Sequence, residues 1–130
     1  MKKVKGYNFS RDFMNDRAPQ HVQNIIIKDF CDKKKLKLLL SSTEYSMKGS
    51  YHILEEMTQN LKKIDGIVAY SVFQMPEDEK KRNKIIKKII NQKKILGFAV
   101  EQLIISSLED IKKIEKLWQI KKTLPFCLKR

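Results

Sequence analysis

The stretch Asp65 to Glu79, DGIVAYSVFQMPEDE, limits the folds open to this chain more than any other. Asp-Gly opens it as a turn. Ile67 to Val72 is an apolar run too short for a helix and rich in β-formers, with no polar side chain before Ser71. A strand of that kind is buried on both faces, as central parallel strands are. Ser71 and Gln74 then fall at its C-terminal end, where open α/β sheets place their ligands. Pro76 begins a charged helix reaching about Gln92, acidic at its start and lysine-rich after it, with Ile85, Ile86, Ile89 and Ile90 toward the sheet.

The same alternation runs through the rest of the chain. Lys3 to Phe9 reads as a strand, Ser10 to Arg17 as a polar loop, and Ala18-Pro19 as a helix start. Val22, Ile25, Ile26 and Phe30 recur at helical spacing and predict the buried stripe. Gln20, Gln23 and Asn24 make a second stripe, read as three exposed amides beside the loop that holds Arg11. Leu36 to Leu40 is the next strand, ending in Ser41, Ser42, Thr43, Glu44 and Tyr45. Lys48-Gly49-Ser50 is a turn and N-cap before a helix over Tyr51 to Lys63. Ile95 to Val100 is a fourth buried strand with Gly97 for close packing, and Leu103 to Ile105 extends it or adds an edge strand. Ser106 with Glu109, and Ser107 with Asp110, are overlapping capping boxes for a last helix that Pro125 ends.

This order predicts a single α/β domain over residues 1–130, with core 3–122 and a tail at 123–130. The architecture is three-layer α/β/α, with a mainly parallel four- to five-stranded sheet and flavodoxin- or resolvase-like strand order 2-1-3-4. No apolar run approaches the length of a membrane helix, and the lysines of MKKVKGY precede no apolar leader segment. The expectation is a cytoplasmic protein without a membrane partner. Cys31 and Cys127 lie far apart with no CxxC partner and read as reduced thiols.

The formal net charge is +13, which invites a nucleic-acid reading. Lysine far outnumbers arginine, however, and lysine is a point charge without the fork that grips phosphate bidentately. Solvated surface is therefore the first reading of that charge and a nucleic-acid face the second. The wide apolar face around Leu117 and Trp118 on the last helix predicts self-association into a homo-oligomer.

Four strand ends carry polar groups: Ser10 and Arg11, Ser42 and Glu44, Ser71 and Gln74, and Glu101. In a parallel sheet these lie on one edge. The candidate ligand-binding set is Ser10, Arg11, Arg17, Gln20, Gln23, Ser42, Glu44, Tyr45, Ser71, Gln74 and Glu101. The chemistry it fits is an anionic, polyhydroxylated ligand such as a sugar phosphate, with Arg11 and Arg17 on the anion and Glu44, Gln74 and Glu101 on hydroxyls. The competing reading is a buried ion pair of Arg11 or Arg17 with Glu44 or Glu101. If there is a reaction, Ser10, Glu44 and Glu101 are its candidate catalytic groups. There is no G-x-G-x-x-G, P-loop, Ser-x-x-Lys or Gly-x-Ser-x-Gly motif. His21 and His52 lack ligand-spaced partners, so neither a metal nor a cofactor is expected.

Two resemblances follow from these segments. The Gly-Tyr strand with Ser10 and an arginine after it, the glutamine-bearing helix, the strand ending in serine, and Asp65-Gly66-Ile67-Val68 resemble the catalytic domain of serine recombinases. That family's third strand is followed by Asp-Arg-Leu-x-Arg. Here Phe73-Gln74-Met75-Pro76 stands instead, so the resemblance implies a recombinase-like nucleic-acid module without strand cleavage. GYNFSR, RAPQHVQN, SSTEYSM, IDGIVAYSVFQMPED and FAVEQLII are similar to the small bacterial proteins of the sporadic carbohydrate cluster family. That resemblance implies a part in surface-polysaccharide or sugar-nucleotide assembly. The part is either binding or converting a sugar-derived ligand, or serving as an interaction subunit of carbohydrate enzymes.

Overall fold

The structure, a computed structural model, describes residues 1–9, 18–44 and 51–128. The expectations for Ser10, Arg11, Arg17, Tyr45 and the Lys48-Gly49-Ser50 turn lie outside these residues. Among the described residues the chain forms a mixed sheet covered on both faces by helices. Its elements are β1 (Lys2–Phe9), α1 (Gln20–Lys33), β2 (Leu36–Leu38), β3 (Ser42–Glu44), α2 (His52–Gln59), β4 (Gly66–Ala69), α3 (Glu79–Asn91), β5 (Ile95–Phe98), β6 (Leu103–Ile105) and α4 (Ile111–Leu128). The strand order is β2-β1-β4-β5-β6, with β3 also paired to β1. All pairings are parallel except that of β5 with β6. The expected 2-1-3-4 order of parallel strands is present, extended by an antiparallel edge at Leu103–Ile105.

The stretch from Asp65 is central in the sheet, as its apolar run required. Gly66, Ile67, Val68 and Ala69 are all buried, between β1 and β5. The strand is shorter than predicted. Ser71 takes extended backbone and its Oγ accepts from the Phe73 N–H, so Val72–Gln74 forms a 3-10 turn. Asp78, not Pro76, caps α3, its carboxylate accepting from the Lys81 N–H at 3.2 Å. Ile85, Ile86, Ile89 and Ile90 are buried as expected.

The second strand differs more. Leu36–Leu38 pairs with the start of β1, the chain leaves the sheet at Leu39 to Ser41, and Ser42–Glu44 returns to pair with its end. The polar tail read as a strand terminus is thus a strand itself, and Glu44 is buried. α2 stops at Gln59 rather than Lys63. The Asn60 side chain turns back to donate to the Glu56 carbonyl, and Leu61 and Ile64 enter the core from irregular backbone.

The two faces are covered unequally. Among the described residues α1 alone lies over Val4, Val68, Ile95 and Ala99, while α2, α3 and α4 bury the larger cluster around Tyr7, Leu54, Ile67, Phe98 and Trp118. Gly97 is what lets α1 approach: a Cβ there would sit 3.0 Å from the Phe30 ring and 3.2 Å from Val68. Of the predicted stripe of α1 only Phe30 is buried and Val22 half-buried. Gln23, Ile27, Phe30 and Cys31 face inward, while Ile25 is 64% exposed and Ile26 36%. The Gln23 amide sets this roll, because it is bound to the backbone at the end of β1. With residue 23 inward, positions 27, 30 and 31 follow at helical spacing.

On the other face Arg82 fastens α3 to α4. Its guanidinium donates to both Glu115 oxygens at 2.7 and 2.6 Å, donates to the Pro76 and Glu77 carbonyls, and stacks on Trp118 at 4.4 Å. Trp118 is 1% exposed and meets Phe73 edge-on. The apolar surface expected from it is therefore covered within the chain. α4 is preceded by the Ser107–Asp110 cap, in which the Asp110 carboxylate accepts from the Ser106 and Ser107 N–H groups and the Ser107 hydroxyl. Those hydrogen bonds, led by the one from Ser106, hold the Asp110 carboxyl below its ordinary value. The helix continues through Pro125, where the sequence predicts a stop, to Leu128. No helix among the described residues is long and apolar enough to cross a membrane.

Candidate functional site

Parallel pairing brings the ends of β1, β3, β4 and β5 to one edge, as the sequence required. Three polar groupings are built there, each held by internal hydrogen bonds.

The first joins β4 to β5. Ser71 Oγ donates to Glu101 Oε2 at 2.9 Å, and the Val72 N–H donates to Glu101 Oε1 at 2.8 Å. Burial pushes the Glu101 carboxyl above its ordinary value, and the bonds from Val72 and Ser71 pull it partly back. Two of the predicted site residues therefore bind each other.

The second grouping is centred on Glu44, 1% exposed. Its carboxylate accepts from the Tyr7 hydroxyl at 2.9 Å, the Ile53 N–H at 3.1 Å and the Leu54 N–H at 3.2 Å. The N-cap of α2 is Tyr51, which makes no side-chain cap, so Glu44 on β3 supplies the acceptor that the first turn of this helix needs.

The third grouping is made of amides. Gln23 Oε1 accepts from the Phe9 N–H at 2.9 Å, and Gln23 Nε2 donates to the carbonyls of Phe9 at 2.9 Å and Ala18 at 2.7 Å. Phe9 and Ala18 are the residues on either side of segment 10–17, which carries Ser10, Arg11 and Arg17. Gln23 thus ties both ends of that segment to α1. Gln74 Nε2 donates to Gln23 Oε1 at 2.7 Å, linking the turn after β4 to the same point. Gln74 is fully buried, and its Oε1 has no hydrogen-bond partner among the described residues. Beside them Asn8 Nδ2 donates to Asn24 Oδ1 at 2.7 Å.

Gln20 lies exposed on the first turn of α1, apart from Gln23. Ser42, half-buried on β3, lines a cavity beneath Glu44. Three groups escape the sequence reading: Tyr7, whose hydroxyl holds Glu44; Lys5, on the wall of that cavity; and Arg82. Arg82 had a signal. In a chain whose default cation is lysine, an arginine inside a helix marks a position that needs a planar, bidentate donor.

No protein-family model matches the chain, and no curated protein sequence does. Solved structures do match in fold. One is a resolvase family site-specific recombinase from Streptococcus pneumoniae, 10% identical, covering 92% of this chain and 88% of its own, with a TM-score of 0.61. Another is the N-terminal catalytic domain of TP901-1 integrase, 13% identical, covering 95% of this chain and 98% of its own, with a TM-score of 0.62. The chain therefore has the fold of these catalytic domains, in agreement with the first resemblance. The resemblance to the carbohydrate cluster family finds no support among these comparisons.

Proposed function

We propose that this protein is a resolvase-fold module that binds nucleic acid through its phosphate backbone. The carrying observation is the placement of cations. Lys80, Lys81, Lys84, Lys87 and Lys88 are exposed on α3, and Lys112, Lys113, Lys116 and Lys122 on α4. Arg82 and Glu115 clamp these two helices together. Point charges on neighbouring helices suit sequence-independent contact with phosphates, and the fold likeness to a recombinase and an integrase supports the same partner. Strand cleavage is no part of the proposal, because Phe73-Gln74-Met75-Pro76 occupies the place of the family's Asp-Arg-Leu-x-Arg motif.

The test is binding to random-sequence duplex DNA over a salt series. The expected result is an affinity of roughly 10⁻⁴ to 10⁻⁶ M near physiological salt, falling steeply as salt rises. Loss of all binding by physiological salt would count against the reading.

A second reading keeps the strand ends as a site for an anionic sugar-derived ligand, with Arg11 and Arg17 as its cations. The buried Gln74 Oε1, without a donor among the described residues, favours it, because a ligand hydroxyl would satisfy such an acceptor. The test is a thermal-shift screen with sugar phosphates, in which an Arg11→Ala variant loses the shift. Self-association belongs to neither reading's core. With Trp118 covered, the exposed apolar side chains on the helices include Ile25 and Ile26 of α1 and Ile120 of α4.

A further inference from the structure

β1 is a central strand with a lysine in its middle. Lys5 pairs across β4 with Ile67, and alternation puts its side chain on the same face as Tyr7 and Phe9, toward the larger core cluster. On its other flank β2 ends opposite Val4 and β3 begins opposite Tyr7. Lys5 therefore stands where the neighbouring chain leaves the sheet at Leu39 to Ser41. The gap opens a cavity of about 370 Å³ lined by Lys5, Ser42, Thr43, Ile53, Glu56, Met57 and Asn60. The α2 residues fall at positions i, i+3, i+4 and i+7, one continuous face of that helix.

The charges in this cavity are not matched to each other. Lys5 is half-buried, and its ammonium has no hydrogen-bond or ion-pair partner among the described residues. The Glu56 carboxylate across the cavity forms no ion pair with it among those residues either. A lysine head held at the mouth of a cleft, without a counter-charge among the described residues, is open to an incoming anion. Around it Ser42, Thr43 and Asn60 bring polar groups, while Ile53 and Met57 give an apolar wall. The lining is thus mainly polar, as suits a hydroxylated ligand, and the volume falls in the usual range for a small-molecule site.

We propose that this cavity binds a small polyol carrying a phosphate or carboxylate, of monosaccharide size. Lys5 takes the anionic group. Glu56 and Asn60 accept from hydroxyls, and the apolar C–H face of the ligand lies on Ile53 and Met57. The site is separate from the strand-end groupings and from the lysines of α3 and α4, and it does not rest on the nucleic-acid reading. It adjoins Glu44, whose carboxylate accepts from the Ile53 and Leu54 N–H groups.

The experiment is calorimetric titration of the whole chain with glucose 6-phosphate, gluconate, glucose and inorganic phosphate. Saturable binding is expected for the first two, with glucose and inorganic phosphate each weaker by about tenfold or more, because each lacks one half of the recognition. Lys5→Met keeps the length and apolar stem and should remove the binding while circular dichroism and melting stay unchanged. Glu56→Gln should narrow the gap between glucose 6-phosphate and inorganic phosphate. Failure of the wild-type chain to bind either charged polyol would overturn the proposal. So would undiminished binding by the Lys5→Met variant, or inorganic phosphate binding as tightly as glucose 6-phosphate. DNA binding measured on the same Lys5→Met sample reports on the proposed function independently.

Discussion

The two edges of the sheet carry polar groups under opposite regimes. At the C-terminal edge Glu44, Ser71, Gln23 and Gln74 are buried and Glu101 is half-buried, and they bind one another or nearby backbone. At the N-terminal edge the strands and their preceding turns present Lys2, Lys3, Lys34, Lys35, Lys62, Lys63 and Lys93 to solvent. Lys35 and Lys93 hold φ of 57° and 60°, each one residue past a helix C-cap, where glycine is usual. One edge is a network in which each group depends on its neighbours. The other is a set of independent cations, each removable without leaving a buried partner behind. A polar side chain at a strand end is therefore not by itself a ligand site, and an exposed lysine is not by itself structural.

Breaking the network should have the largest effect. Glu44→Ala leaves the Tyr7 hydroxyl and two first-turn N–H groups of α2 without their acceptor, and should cost roughly 3–5 kcal/mol in urea unfolding. Gln23→Ala removes bonds to both ends of segment 10–17 and should cost about 2–3 kcal/mol. If either variant unfolds like the wild type, the internal network is not what holds this edge.

The sequence made the alternation of strands and helices legible, because Ile67 to Ala69 and Ile95 to Phe98 are apolar runs that only a covered sheet can bury. It misled where a polar residue took a core position. Gln23 reads as an exposed amide, and Ile25 and Ile26 as core, until the backbone at Phe9 needs a partner that only an amide can supply. Glu44 reads as a ligand-facing carboxylate because nothing local shows that α2, which lies beyond residues 45–50, lacks its own cap. Hydrogen bonds between residues far apart in the chain leave no periodicity to read. The pairing of Arg82 with Glu115 is of the same kind, visible only as an arginine where lysine is the habit.

Glu101 makes the C-terminal edge sensitive to pH. Its carboxyl is raised by burial, so the folded state holds that proton more tightly than the unfolded state. Stability from this group is greatest below the ordinary glutamate value and is lost as pH rises through the raised folded value. Glu101→Gln keeps an acceptor for Val72 and a group for Ser71. Melting followed from acid to neutral pH should therefore show the wild type losing stability relative to the variant across that window. Parallel curves would mean that Glu101 is solvated like the lysines opposite.

The smallest effects belong to the N-terminal edge. Lys35→Gly or Lys93→Gly should stabilise the fold by up to about 1 kcal/mol by relieving the left-handed backbone. A loss of stability from either would show that these lysines make structural contacts. The buried Cys31 thiol, pushed up to about 11 mainly by burial, should resist alkylation in the folded chain at pH 8 and react on unfolding. Rapid labelling of Cys31 itself in a folded Cys127→Ser variant would contradict its burial between α1 and the sheet.

Under the proposed function the exposed lysines of α3 and α4, and not the strand-end network, are what nucleic acid would meet. The most direct measurement is fluorescence anisotropy of a random-sequence duplex between about 50 and 200 mM salt, comparing the wild type with Lys84→Gln, Lys88→Gln and Lys113→Gln combined. Linear log–log salt dependence is expected, with a slope that falls by about 0.9 for each substituted lysine that contacts a phosphate. A wild-type chain that does not bind at the lowest salt, or a triple variant with the wild-type slope, would contradict it.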